Sequence, residues 1–416
     1  MKQTLKLSAL VVALASPTMP GAIQTAAFAQ NATPAPPTGQ PAATTPTPPP
    51  APVVVWRREA AQELLAYVDQ IGEEGLDPAA YSPDRLRGAL STGDDAAITP
   101  AATQLFNRLA RDLSGGAVRG NSRGESYLPD VSISAARQQE LLQRAAQGGV
   151  APILDGLLPV HPQYAGLRRA LAEAPPEDRA RRDLIRANME RWRWMPRSLG
   201  ARHVIVNVPA FTAAIVDNGS VTRRHRTVVG ARRTQTPQLS AEITAVTINP
   251  WWTVPQSIIR EQGGRFGGGY QVTRGAGGRM TVRQPPGPSN ALGRVKIEMP
   301  NPHAIYLHDT PAQALFGRPV RAFSHGCIRT QFVRDFAAEL LEATGQWSRS
   351  AIDQAVERGR TVTTRLAAPV PVYIAYFTAA ATNDGNIVTY ADIYGRDSAV
   401  RAALNRGGGT TTTASR

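Results

Sequence analysis

Cysteine is almost missing: the chain has one, Cys327, in 416 residues. That excludes an internal disulfide framework and any cysteine-rich zinc module. Lysine is nearly as scarce. It stands only at 2, 6 and 296, so arginine supplies all but three of the 46 basic residues. Acids number 32, which leaves a formal net charge of +14. No run beyond the first residues approaches the roughly 20 apolar residues that a membrane helix needs. There is no internal repeat and no His-Glu-x-x-His, and the spacing of His303 and His308 does not suit one helix face, which argues against a metal site. The glycine-rich run 263–270 (GGRFGGGY) has no Lys-Ser/Thr behind it and no strand pattern before it, so a phosphate loop is a weak reading. What is present is 42% hydrophobic and 19% charged residues, at a length that suits two to three domains with a real core.

The first residues read as an export signal. Lys2 and Lys6 precede a short apolar stretch, Leu7 to Ala15, and Ala27-Phe28-Ala29 offers a small-x-small cleavage site. Cleavage after Ala29 removes two lysines and no acid, which leaves +12; retention as an anchor is the alternative. Residues 30–53 are rich in Pro, Ala and Thr and carry no charge, the composition of a disordered linker or tether. Residues 407–416 read as a frayed tail.

Between these ends the periodicity changes once. Over 54–200 apolar residues follow helical spacing, as in Leu64, Val68 and Ile71, in Leu105 and Leu109, and around Leu141 and Leu142. A last helix is expected after Pro175-Pro176, with Glu177 and Asp178 in its first turn and Pro196 as its stop. From 201 the pattern is that of strands, at 203–208, 211–217, 221–229, 242–248, 304–307 and 371–377. Asn218-Gly219 between two β-rich runs signals a tight hairpin, because a type I′ turn needs positive φ at both centres. One helix, with Phe332, Phe336 and Leu340, is expected directly after the cysteine and before Gly345. A final hairpin is expected at 383–385. The fold class is therefore α+β: a helical scaffold over 54–200, a β-rich domain over 201–380, and a C-terminal hairpin and tail over 381–416. The Gly/Arg-rich stretch 257–298 inside the β-rich part reads as a lid or as disorder.

Chemistry concentrates around the cysteine. A thiolate is the nucleophile, and an ordinary thiol is mostly protonated at neutral pH. His308 ends one strand, and Ser324-His325-Gly326-Cys327-Ile328-Arg329 follows. A histidine can take the thiol proton, a helix N-terminus would favour negative charge, and Arg329 adds a fixed cation. Gly326 lets the backbone approach a substrate closely. A buried, inert cysteine is the plain alternative, yet in an oxidising exported compartment an unpaired thiol is a liability unless it is used.

His308, fifteen intervening residues and the Ser-His-Gly-Cys-x-Arg run together resemble the L,D-transpeptidase (YkuD-type) signature. Glu190 to Trp194, Val206 to Pro209, Asn249 to Pro255 and Gly287 to Pro300 extend the resemblance to the large periplasmic YcbB-like members, over roughly 186–380. Glu74 to Pro78 carry a looser likeness in the helical part. The resemblance implies a β-sandwich-like catalytic domain with 257–298 as an inserted lid. It implies Cys327 as nucleophile and His308 as general base and acid, oriented by the backbone carbonyl of Asp309. The amides around Gly326 and Cys327, with Tyr306, would form the oxyanion hole; Ser324 and His325 would shape the site; Arg329 would bind a substrate carboxylate. No metal or cofactor is implied. The implied partners are peptidoglycan stem peptides, a tetrapeptide donor and a diamino-acid amine acceptor, with other wall-synthesis enzymes as further partners, and no nucleic acid. The implied place is the periplasm, with no transmembrane segment in the mature chain. Larger relatives carry a helical glycan-binding module before the catalytic domain. Here 174–192 has room for one helix only, so the lid and scaffold, or a partner, would have to bind glycan. Competing readings are an L,D-carboxypeptidase or protein-to-wall ligase using the same site, a sortase, a papain-like hydrolase, and a non-catalytic wall-binding protein.

Overall fold

The computed structural model describes residues 54–382 and 384–406. The expected signal, linker and tail lie outside the described residues.

The helical part contains α1 (Arg58–Asp69), α2 (Asp84–Thr92), α3 (Asp95–Gly115), α4 (Ala135–Ala145), α5 (Val150–Asp155), α6 (Pro162–Glu173) and α7 (Arg179–Arg193). Side-chain caps start several of them. Asp94 accepts the amides of Ala96 and Ala97 ahead of α3, and Ser134 accepts that of Arg137 ahead of α4. Asp178 caps α7 by accepting the Arg181 amide, so it precedes the helix rather than lying in its first turn. Leu64, Val68, Leu105, Leu109, Leu141 and Leu142 meet in one core, as their spacing requires.

The β-rich part begins within that helical region. β1 (Ser126–Tyr127) is followed by β2 (Arg202–Asn207), β3 (Thr212–Asp217), β4 (Ser220–Gly230), β5 (Gln238–Ile248), β6 (Trp252–Thr253), β7 (Gln271–Arg274) and β8 (Met280–Gln284). Then come β9 (Val295–Glu298), β10 (Leu307–His308), β11 (Ala322–Ser324), β12 (Ile328–Thr330), β13 (Val362–Ala375), β14 (Ala379–Ala381) and β15 (Ile387–Thr389). The main sheet runs β1-β5-β13-β2-β3-β4-β12-β10-β9, and β9 also pairs β5. The hydrogen-bonded path therefore closes on itself from β5 round to β9, which is barrel closure rather than the two open layers of the expected sandwich. Asn218 and Gly219 have φ of 47° and 79°, and Asp217 pairs with Ser220 across that tight turn.

β13 joins the two parts through the period of two. Val372 and Ile374 face the core of the sheet, while Tyr373 and Ala375 face α6 and α7. There Trp192 lies between His161 and Phe377, with ring centroids 4.1 and 4.5 Å away. Beside it runs a charged network. Arg193 is fully buried, bonds Glu190 at 3.0 Å and the Tyr164 hydroxyl at 2.8 Å, and donates to the Glu74 carbonyl. Arg191 pairs Asp397 at 2.6 Å. Asp397 opens a helix absent from the sequence reading, over Asp397–Asn405, which returns to the helical core with Val400 and Leu404.

Four helices follow α7: α8 (Gln256–Glu261), α9 (Val333–Leu341), α10 (Arg349–Glu357) and α11 (Asp397–Asn405). The sequence reading held only α9, and two of its details change. Phe332 precedes the helix with φ of 52° and is 67% exposed, so the buried face is Val333, Phe336, Ala337, Leu340 and Leu341. β12 separates Cys327 from that helix, so the cysteine does not sit at a helix N-terminus. The segment 304–307 contributes only its last residue to a strand, β10.

The Gly/Arg-rich insertion is folded. β6, β8 and β7 form a three-stranded sheet, and α8 packs on it. Val254, Ile258, Ile259 and Val282 make a small separate core, flanked by Trp252, Phe266, Tyr270 and Met280.

Candidate active site

Strand register brings the expected residues together. β10 pairs β12 in parallel with His308 opposite Arg329, and pairs β9 antiparallel with His308 opposite Lys296. The Ile328 amide donates to the Tyr306 carbonyl at 3.0 Å, extending the β10–β12 pairing one step back. Because side chains alternate, Tyr306, His308, Cys327 and Arg329 share one face. Lys296 joins that face, with its Nζ 4.6 Å from the Tyr306 ring centre and 2.7 Å from Glu298.

Cys327 is partly exposed, and its Sγ donates to the Ala304 carbonyl at 3.6 Å. Burial pushes the thiol up; the backbone and hydroxyl of Tyr306, then Lys296 and Arg329, pull it down less strongly. His308 is 5% exposed, and burial pushes it down to about 3, with Arg329 adding to the effect. Its Nδ1 is enclosed and makes no hydrogen bond of good geometry, although the carbonyls of Asp309 and Leu292 favour the charged ring. Both groups therefore rest uncharged, a neutral thiol and a neutral imidazole on the same face of the sheet. The ring lies edge-on to Tyr306, centroids 5.5 Å apart.

The loop before the cysteine is braced from several sides. Gly326 has φ of 111°, a conformation other residues rarely adopt, and a Cβ there would come 3.3 Å from Ile305. Ser324 Oγ accepts the Gly326 amide at 3.2 Å and donates to the Cys327 carbonyl at 2.5 Å. Thr236 Oγ1 donates to the Gly326 carbonyl at 2.7 Å, and the Thr236 amide donates to the Tyr394 hydroxyl. So the Gly326 amide is engaged within its own loop, while the Cys327 amide has no internal acceptor among the described residues. Asp309 does different work: its carboxylate accepts the Arg294 amide at 2.8 Å and fills the space beside Gly293, where φ is 63°.

Arg329 has no carboxylate partner among the described residues, and its Nε is buried without an acceptor. A guanidinium stays charged there and keeps a free planar fork. His325 points the other way. Its Nε2 lies 2.9 Å from Glu261 at the end of α8, and Glu261 also pairs Arg233 at 2.8 Å. The Trp252 indole of β6 faces the Tyr306 hydroxyl. The insertion thus touches the site at both ends.

Glu261, Trp252 and Lys296 were not singled out from sequence. Lys296 had a signal: it is the one lysine beyond residue 6 in an arginine-rich chain. Trp252 lies in the Asn249–Pro255 stretch that extends the resemblance, though with no role assigned to it there; Glu261 had no signal, since only the tertiary fold carries it to the cysteine.

Residues 201–372 match the model of the L,D-transpeptidase catalytic domain (YkuD), and residues 53–171 match that of a scaffold domain. The chain carries a YkuD-type L,D-transpeptidase catalytic domain behind a scaffold domain. It is 30% identical over 225 residues to a Haemophilus influenzae protein assigned as an L,D-transpeptidase, covering 48% of this chain. The chain spans 45% of that relative's length. Among solved structures, an L,D-transpeptidase from Mycobacterium smegmatis is 14% identical at a TM-score of 0.22, over 42% of this chain and 58% of that one. L,D-transpeptidase 3 from Mycobacterium tuberculosis, carrying a faropenem-derived adduct, is 13% identical at 0.24, over 42% and 60%. No helix among the described residues is long and apolar enough to cross a membrane.

Proposed function

We propose that the protein is a peptidoglycan L,D-transpeptidase that forms 3–3 cross-links between stem peptides through a thioester on Cys327. The observation that carries this reading is the shared face of β10 and β12. It presents a thiol, a neutral imidazole and an unpaired guanidinium within the segment that matches the catalytic domain.

Attack is coupled to proton transfer, because both partners rest neutral. Cys327 Sγ bonds to the carbonyl of the stem's third residue, and its proton passes to His308. The developing oxyanion faces the free Cys327 amide and the Tyr306 hydroxyl, with the Gly326 amide reserved for Ser324 in the resting loop. Collapse breaks the amide bond, and His308 gives its proton to the departing amine of D-Ala. The side-chain amine of a second stem, entering uncharged, then attacks the thioester. Its proton moves to His308 and on to the sulfur as the C–S bond breaks. Arg329 holds a substrate carboxylate through its planar fork. The folded insertion closes over the site through Trp252 and Glu261 and keeps water from the thioester.

This reading sets residues 1–29 as the export signal, 54–200 as the scaffold and 201–380 as the catalytic domain, acting in the periplasm. Incubation of the full chain with purified tetrapeptide muropeptides, followed by mass analysis, tests it. The expected products are a 3–3 linked dimer and free D-Ala, both absent with Cys327→Ala. Tripeptide alone would assign an L,D-carboxypeptidase, and unchanged muropeptide would refute the enzyme.

A further inference from the structure

β1 lies far from the cysteine in sequence but belongs to the same sheet. Ser126 and Tyr127 pair in parallel with Gln238 and Leu239 at the edge of β5. The Tyr127 side chain is 51% exposed and stacks on His303, with ring centroids 3.7 Å apart and planes 23° from parallel. His303 is itself exposed, and the next residue, Ala304, supplies the carbonyl that receives the Cys327 thiol. Single exposed apolar side chains are ordinary on a protein surface. Two exposed rings held face to face by separate segments, one residue from the nucleophile's hydrogen-bond partner, form a platform.

Tyr127 also lines a cleft of about 920 Å³ between the 119–130 segment and residues 394–399, where the chain enters α11. Asn121, Glu125 and Gln235 add amide and carboxylate groups to its walls. A flat aromatic face with hydrogen-bonding groups around it complements a sugar ring, which offers a C–H face and a rim of hydroxyls. The reach is suitable. With the third residue's carbonyl at the sulfur, the two preceding stem residues span about 7 Å when extended, and the sugar lies beyond them.

We infer that the Tyr127–His303 pair is a saccharide subsite that binds the sugar end of the donor strand. This rests on the reading of the protein as a peptidoglycan enzyme, and it gives the helical part a share in substrate recognition. The test measures binding rather than turnover. The full chain carrying Cys327→Ala is titrated calorimetrically with a disaccharide-tetrapeptide and with the same tetrapeptide lacking sugar. The sugar should strengthen binding about threefold to tenfold, the scale of one aromatic stacking contact. Adding Tyr127→Ala should abolish that difference while leaving binding of the bare tetrapeptide unchanged, and Tyr127→Phe should retain it. A sugar effect that survives Tyr127→Ala, no sugar effect at all, or equal weakening of both ligands would overturn the subsite. Because turnover is read separately by mass analysis, a failed subsite and a failed transpeptidase give different results.

Discussion

At the α7 junction, Arg193 and Arg191 are buried and each has a carboxylate at hydrogen-bonding distance, Glu190 and Asp397. On the β10–β12 face, Arg329 is also largely enclosed and has none. The same residue type is treated in opposite ways. At the junction the partners are supplied by the chain, Glu190 also accepting the Val118 amide and the Trp194 indole, so the network holds two parts in one arrangement. At the site Arg329 has no carboxylate from the described residues, so its planar fork is left for a substrate carboxylate. Nη2 of Arg191 and Nε of Arg193 also lack an acceptor, as Nε of Arg329 does, so the difference lies in the carboxylate, which the chain supplies at the junction and not at the site.

The comparison breaks most visibly at His308. His308→Ala should lower the rate at which Cys327 is acylated by a carbapenem by about 10²–10⁴-fold, the range expected for a general base. Intact-protein mass over time reads it. Burial gives the wild type a second signature. With the imidazole pushed down to about 3, no loss of acylation should occur as pH falls through 6.5. Stability should behave differently. The unfolded histidine binds a proton near 6.5 and the folded one does not until about 3, so the His308 contribution is present above 6.5 and lost as pH falls towards 3. A fall in acylation centred near 6.5 would show a solvated histidine and remove the contrast with the junction.

The second test damages the junction and spares the site. Glu190→Ala leaves Arg193 fully buried without its carboxylate, which should cost about 3–5 kcal/mol. Urea unfolding would show the midpoint fall. Carbapenem acylation of the protein that remains folded should keep its rate, since no atom of the Cys327 face contacts Glu190. If acylation falls as steeply as stability, the two networks are one.

How much of this was legible follows from the range of the forces involved. The change from helical to alternating periodicity near 201 is local, and so is the Asn218-Gly219 turn, whose φ values are what such a turn requires. The motif around Cys327 is local too. The helix placed directly after the cysteine was not legible as drawn: the short β12 intervenes, because Ile328 to Thr330 are held by pairing with β4 and β10, partners distant in sequence. α10 did leave a trace, a Ser348 cap followed by Ile352, Ala355 and Val356 on one face. The insertion hid its fold because Val254, Ile258, Ile259 and Val282 are scattered among glycines and arginines and converge only in three dimensions. The same holds for Glu261 against His325 and for Tyr127 against His303.

The smallest expected effect concerns the free guanidinium. Arg329→Lys keeps the charge but removes the planar fork, so a bidentate carboxylate contact becomes a single one. Loss of one charge-assisted hydrogen bond is worth about 1.5–3 kcal/mol at most, and the retained ammonium recovers part of it. The Michaelis constant for the tetrapeptide donor should therefore rise by about tenfold, with the maximal rate much less affected. Steady-state release of D-Ala over a range of donor concentrations separates the two quantities. Folding stability should not fall, because Arg329 has no carboxylate to lose. A drop in stability without a change in the Michaelis constant would mean that Arg329 is held internally, as Arg193 is, and that its bonding capacity was never reserved for a substrate.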